Sequence, residues 1–229
     1  MPATETPQAV QQHIERLTRR IDDLESASAV RSLQYKYGYY MDKGYYNETV
    51  DLFSDNAEIR FLNGIYKGKA GAHRLYCDWF RDLFAGGHNG PTYGFLLDHL
   101  LVQGIVDIAP DGNTAKGRFR CFMQGGYHET RKERIPGFPD QCWEGGIYEN
   151  EYVREGGVWK IKLLNYNMLW QANYAEGWAH SAVHLPPLSK TYPDDPRGPD
   201  ELVEMQKVWP HTRSVPFHYN HPVTGRPTV

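Results

Sequence analysis

The chain is poor in cysteine, in long apolar runs and in surplus charge of either sign, and each shortage excludes something. Its 229 residues hold three cysteines, Cys77, Cys121 and Cys142, with no CxxC pair. An odd count without metal-type spacing argues against a disulfide framework and for reduced thiols in a cytoplasmic protein. No apolar run nears the ~18 residues that span a bilayer. The opening Met-Pro-Ala-Thr-Glu-Thr-Pro lacks the basic and apolar regions of a signal peptide. The formal net charge is −3 and Lys and Arg are scattered, so no nucleic-acid footprint is expected. No P-loop, G-x-G-x-x-G or G-x-S-x-G run occurs, which disfavours nucleotide, dinucleotide and acyl-serine chemistry. Histidine reaches ten, yet His180 and His184 lack the Glu of the zincin pattern, and His218 and His221 sit in a proline-rich stretch. No metal or cofactor is expected.

What is abundant is aromatic: 14% of residues, with 16 Tyr and 6 Trp. Such side chains join a large apolar body to a polar tip. They suit either a pocket for a ring compound or a tyrosine-rich core or interface.

The length favours one domain with extensions: a helical extension over 1–25, a core domain over 26–172 and a tail over 173–229. Val10, Ile14, Leu17, Ile21 and Leu24 form one helical stripe, which needs its own domain or a neighbouring subunit to pack against. A second helix is predicted from about 28 to 43, stopping near Gly44, and a third from about 47 to 53. Asn63-Gly64 between apolar runs predicts a hairpin turn. A helix over about 70–84 places Leu75, Trp79 and Leu83 on one face. Strands follow over 95–108, 114–125, 146–154 and 158–170. In the tail, Pro186, Pro187, Pro193, Pro196 and later prolines break the pattern. A short helix over 201–207 is expected there, with Trp209, Phe217 and Tyr219 anchoring the tail over the domain or a neighbour, where it could lid the pocket. Helices followed by long antiparallel strands give an α+β class.

Tyr37 lies on the buried stripe of its helix with Val30 and Leu33, and Asp42 ends that helix. Read blandly, these are a core tyrosine and a helix-end carboxylate. His99, amid Leu97, Leu100 and Leu101, reads either as a satisfied core histidine or as a proton carrier. A carboxylate beside it would fix its tautomer. Tyr37, Asp42 and His99 are therefore the candidate catalytic set. Trp79, Gln124, Tyr127, Tyr166 and Trp170 are the candidate substrate contacts, with the inward phase of 116–125 and 158–170 left open.

The pattern Val30-x-x-Leu33-x-x-x-Tyr37-x-x-x-x-Asp42, then Asp51-Leu-Phe-x-x-x-Ala57, Gly64-x-Tyr66-x-Gly68, Asp98-His99 and Gly157-Val-Trp159-Lys-Ile161 resembles the SnoaL-like branch of the nuclear-transport-factor-two-like superfamily. The resemblance implies a cone-shaped roll, in which a strongly curved antiparallel sheet wraps helices around an apolar pocket. In the bile-acid and scytalone dehydratase members a helix Tyr, an Asp and a strand His line that pocket. By motif position these are Tyr37, Asp42 and His99. The second carboxylate of the bile-acid enzyme has no counterpart among Phe122, Met123 and Gln124. The tail and the aromatic load resemble the sphingomonad diarylpropane lyase group. That likeness implies a cofactor-free conversion of a lignin-derived diaryl diol to a stilbene, with loss of water and formaldehyde through a quinone methide. The alternatives are a dehydratase or double-bond isomerase on a steroid or polyketide, and a non-catalytic binding or assembly module. The resemblance also implies a homo-oligomer, dimer or trimer, with no nucleic-acid or membrane partner.

Overall fold

A computed structural model describes residues 6–228. Helix α1 (Pro7–Asp42) starts at Thr6, whose hydroxyl accepts from the Ala9 amide at 3.3 Å, with Pro7 in the first turn. The two helices expected over 10–43 are one, because Ser26, Ala27 and Ser28 carry no breaker between them. Only the C-terminal half is buried, through Val30, Leu33, Gln34, Tyr37, Gly38 and Met41. Gly38 lets α1 approach the sheet: a Cβ there would lie 3.0 Å from Leu101 Cδ1. Gly44, at φ +66°, turns the chain after the helix. Helix α2 spans Tyr46–Asp51.

Strands β1 (Phe53–Phe61) and β2 (Gly64–Lys67) form the expected hairpin, but its turn residues are Leu62 and Asn63, with Leu62 at φ +53°. Asn63 has another task. Its side chain donates to Leu188 O at 3.0 Å and accepts from Leu188 N at 2.8 Å, clamping the tail. The next helix opens as α3 (Gly68–His73), widens into a π-helical turn over Arg74–Phe80 and closes as α4 (Arg81–Ala85).

The long strands are β3 (Phe95–Ile108), β4 (Thr114–Tyr127), β5 (Gln141–Glu155) and β6 (Val158–Asn173). With the short β7 (Glu201–Leu202) they form one sheet in the order β3-β4-β5-β6-β1-β2-β7. All pairs are antiparallel except β1 with β6. This α+β architecture, a curved open sheet around helices, matches the expected cone. Its inner face carries Phe119, Cys121 and Met123 from β4, all buried, which settles the open phase of that strand in favour of the odd positions. On β6, register shifts opposite Glu151/Tyr152 and Gly145/Gly146 interrupt simple alternation.

The tail lies on its own domain. In place of the expected helix over 201–207, Glu201–Leu202 pairs with Gly64–Ile65 as an edge strand. Asp200 accepts from the Lys67 amide at 2.7 Å and from Arg74 at 2.6 Å. Farther on, Arg118 donates to Pro216 O at 3.1 Å, while His218 bridges Glu149 and Asp107. Among the described residues no helix is long and apolar enough to cross a membrane.

Candidate active site

The last two turns of α1 deliver Tyr37 and Asp42, and the start of β3 delivers His99. Asp42 Oδ1 accepts from the His99 backbone amide at 2.7 Å and lies 2.8 Å from its Nδ1. The first bond ties helix to strand; the second selects the tautomer. With the Nδ1–H donated to Asp42 Oδ1, Nε2 is left to exchange a proton with a ligand. The pair is secluded, with side chains 13% and 11% exposed.

His99 and Tyr37 both line one interior cavity of about 60 Å³, walled mainly by Met41, Leu75, Phe80, Phe84, Leu97 and Tyr148. Asp42 stands behind His99, against a surface groove shared with Tyr35 and Tyr39. The Tyr37 hydroxyl is 3.1 Å from that of Tyr76. Burial pushes the Tyr37 pKa up to about 12 and that of Tyr148 well above the usual phenol value. Both are neutral donors at physiological pH.

Three elements of the cavity escaped the sequence reading. Glu144 on β5 is 8% exposed and accepts from the Tyr166 hydroxyl and, at 2.5 Å, from Gln171 Nε2. Gln171 Oε1 in turn accepts from the His184 amide at 3.1 Å. His184, Gln171 and Glu144 all line the cavity, so the tail segment around His184 and Leu185 closes the chain's own pocket. Strand register aligns the two polar groups: Met123 pairs with His99 on one side and Glu144 on the other, and Glu144 pairs with Gln171. The available signal was a lone acid in the apolar run Cys142-Trp-Glu-Gly-Gly-Ile147.

Of the expected substrate contacts, Tyr166 lines the cavity. Trp79 does not. The π-helical turn shifts the inner face by a residue, so Tyr76, Phe80 and Phe84 point inward while Trp79 packs on Phe61 with ring centroids 6.0 Å apart. Gln124 pairs with Asp98 and Trp143 on the outer face, one position out of phase with Met123. Trp170 is also outside, packed on Phe122 and Trp178 at 6.0 and 6.1 Å, because the bulge beside Gly145/Gly146 reverses the alternation beyond Met168. Tyr127 buttresses the wall from behind: its ring packs on Phe138 and its hydroxyl accepts from the Ile135 amide at 2.9 Å. Among the described residues no group of three or more His, Cys, Asp or Glu is placed to hold a metal ion.

A search of curated proteins finds no match. Among solved structures, a putative scytalone dehydratase from Novosphingobium aromaticivorans is 17% identical, over 75% of this chain and 99% of that one, with a TM-score of 0.53. A type 2 hexachlorocyclohexane dehydrochlorinase is 20% identical over 73% and 97%, with a TM-score of 0.54. The type 3 dehydrochlorinase from Novosphingobium barchaimii is 21% identical over 74% and 99%, at 0.54. These likenesses show a shared fold. The SnoaL-like domain profile matches residues 22–165, more than half of the sequence, and the chain belongs to the SnoaL-like family.

Proposed function

We propose that the protein is a cofactor-independent lyase acting on a hydroxylated aromatic compound, with a lignin-derived diaryl diol as the best-fitting substrate class. The observation that carries this reading is the Asp42–His99 pair presenting an imidazole to an apolar, tyrosine-walled cavity. Protonated His99 gives its Nε2 proton to the benzylic hydroxyl, with Tyr37 donating a hydrogen bond to the same oxygen. Water leaves as the para-phenol passes its proton to a neutral base of the cavity wall, which returns it when the phenol oxygen is restored, and the ring becomes a quinone methide. Neutral His99 then takes the proton of the terminal hydroxyl. The adjacent carbon–carbon bond breaks, formaldehyde departs, and the electron pair runs into the quinone methide to give the stilbene and restore the phenol oxygen. His99 ends as it began. The substrate supplies its own electron sink, so no cofactor is required.

Neighbours named as a putative dehydratase and a dehydrochlorinase support elimination chemistry on this fold. The free, buried thiols Cys77, Cys121 and Cys142 suit a reducing, cytoplasmic setting. A dehydratase or isomerase acting on a steroid or polyketide would use the same dyad but release no one-carbon fragment. A non-catalytic module is favoured by one observation: the protein's own aromatic rings leave only about 60 Å³ of cavity, below the ~300 Å³ of an ordinary ligand pocket. Against it, Asp42 is bonded to His99 and is not turned out to solvent. Substrate entry then requires the tail segment at Leu185 and the Phe138 loop to yield.

The test is turnover of a diaryl diol with formaldehyde trapping. Wild-type protein is expected to release stilbene and formaldehyde in equal amounts. His99→Ala is expected to fall by ~10²–10⁴ while remaining folded. Unchanged turnover in that variant removes His99 from the mechanism.

A further inference from the structure

His184 is the one histidine that the mechanism above leaves unused although it lines the cavity, and its bonding is incomplete. It is 6% exposed. Asn173 Nδ2 donates to Glu176 at 3.2 Å, which turns Asn173 Oδ1 toward His184 Nε2, also 3.2 Å away. An oxygen there demands the ring proton on Nε2. Nδ1 is then a bare acceptor, and this buried atom has no partner among the protein's own groups. Burial also pushes the imidazole pKa down, which keeps the ring neutral. The site therefore lacks a donor. Glu144 is nearby with its carboxylate engaged by Tyr166 and Gln171, and no Lys or Arg lines the cavity. An anionic ligand is disfavoured; a neutral O–H on an aromatic ring fits, with Tyr148, Tyr166 and Phe138 as walls.

We propose that Glu144, Tyr166, Gln171 and His184 form a second polar subsite in which His184 Nδ1 accepts the hydroxyl hydrogen of a phenolic ring whose para substituent reaches His99. The shared row across the sheet sets the span. His184 is bonded to Gln171, three strands from His99 in that row and about 14 Å away at the backbone, so a substituted ring reaching both needs side chains extended inward from each end and the tail segment around Leu185 to yield. Where it concerns catalysis, this inference rests on the proposed elimination. As the benzylic C–O bond breaks, positive charge spreads to the phenolic oxygen and makes its proton strongly acidic. A weakly basic neutral imidazole is then sufficient to take it. The proton returns to the phenolate oxygen when the carbon–carbon bond breaks.

The binding claim is testable without turnover, by calorimetry with 4-ethylphenol and its methyl ether, 4-ethylanisole. Wild-type protein is expected to bind the phenol about tenfold more tightly. His184→Leu is expected to bind both alike. Asn173→Leu, which keeps the ring but frees its tautomer, is expected to lose part of the preference. His99→Ala is expected to keep all of it. Equal binding of the two probes by wild type, no binding of either, or a full preference surviving in His184→Leu overturns the proposal. If thermal melts show His184→Leu unfolded, Asn173→Leu decides, and an undiminished preference there overturns it. Absence of diol turnover with the phenol preference intact defeats the elimination reading alone.

Discussion

Asp42 holds two bonds to one residue, and a single carboxylate oxygen accepts both. Its carboxylate receives both the backbone amide and the Nδ1 of His99. Both bonds go to Oδ1, so Asp42→Asn keeps an oxygen for the amide and the ring alike and removes only the negative charge that stabilises the imidazolium formed when His99 takes the terminal hydroxyl's proton. Turnover is expected to fall by ~10²–10⁴ with little change in melting temperature. Steady-state kinetics beside a thermal melt would show this, and a melt collapsing in parallel with activity would assign Asp42 a structural role only. The tyrosines make a second prediction. Burial raises the pKa of Tyr37 to about 12, and those of Tyr76, Tyr148 and Tyr166 well above the ordinary phenol value. In the unfolded chain these groups ionise near pH 10. Between there and the folded pKa the unfolded state has lost the protons that the folded state still binds. Stability is therefore full below about pH 10 and falls as pH rises further. Melting temperatures taken from pH 8 to 12 should decline over that window, and Tyr37→Phe should make the decline shallower.

Irregularities within elements decide which side chains reach the cavity, and this is where sequence reading stopped short. The helix–turn–strand order and hairpin turns such as Gly156-Gly157, with φ of +57° and +80°, were legible because local chemistry dictates them, while the meeting of Tyr37 and Asp42 on α1 with His99 on β3 was legible only through the family resemblance. Trp79 and Trp170 were misplaced for a common reason: each lies in an element with an altered repeat, a π-helical turn or a β-bulge, so period counting runs out of step. Those interruptions depend on packing across the sheet, which no short window encodes. Glu144, Gln171 and His184 meet only through strand register and the tail's path. The glycines at the bulge are the readable trace. A Cβ on Gly146 would lie 2.6 Å from the Tyr166 ring, the ring whose hydroxyl holds Glu144. Gly146→Ala must displace that ring and is expected to destabilise the fold by ~1–3 kcal/mol. Urea unfolding would measure the loss; a neutral result would mean that Tyr166 has room to move.

At the scale of the whole molecule, the N-terminal half of α1 leaves an apolar stripe uncovered by its own chain. The stripe of Val10, Ile14, Leu17, Ile21 and Leu24 is intact on the helix, and each of these side chains is 41–72% exposed. Burying them would contribute of the order of 1 kcal/mol or more each. Hydrogen bonds tie this stretch to the rest of the chain, Arg154 to Asp22 at 3.1 Å and Arg19 to the Pro110 carbonyl. The tail does not cover the stripe: its anchors fall on β2, on Arg74, on Leu169 beside the second bulge, and on the outer face at Arg118 and Glu149. A heptad-like stripe of about two heptads is too short to hold a helix alone in water, but it is well matched to an equal stripe on a second copy. The protein is therefore expected to be a homo-oligomer joined at least partly through α1. Light scattering coupled to size exclusion should give a mass above one chain for the wild type. The pair Leu17→Glu and Ile21→Glu, which places like charges at the centre of the seam, should reduce that mass. The cavity lies at the other end of α1, so diol turnover per chain should survive the change. A wild-type mass of a single chain at micromolar concentration would leave the stripe without a copy of itself as partner.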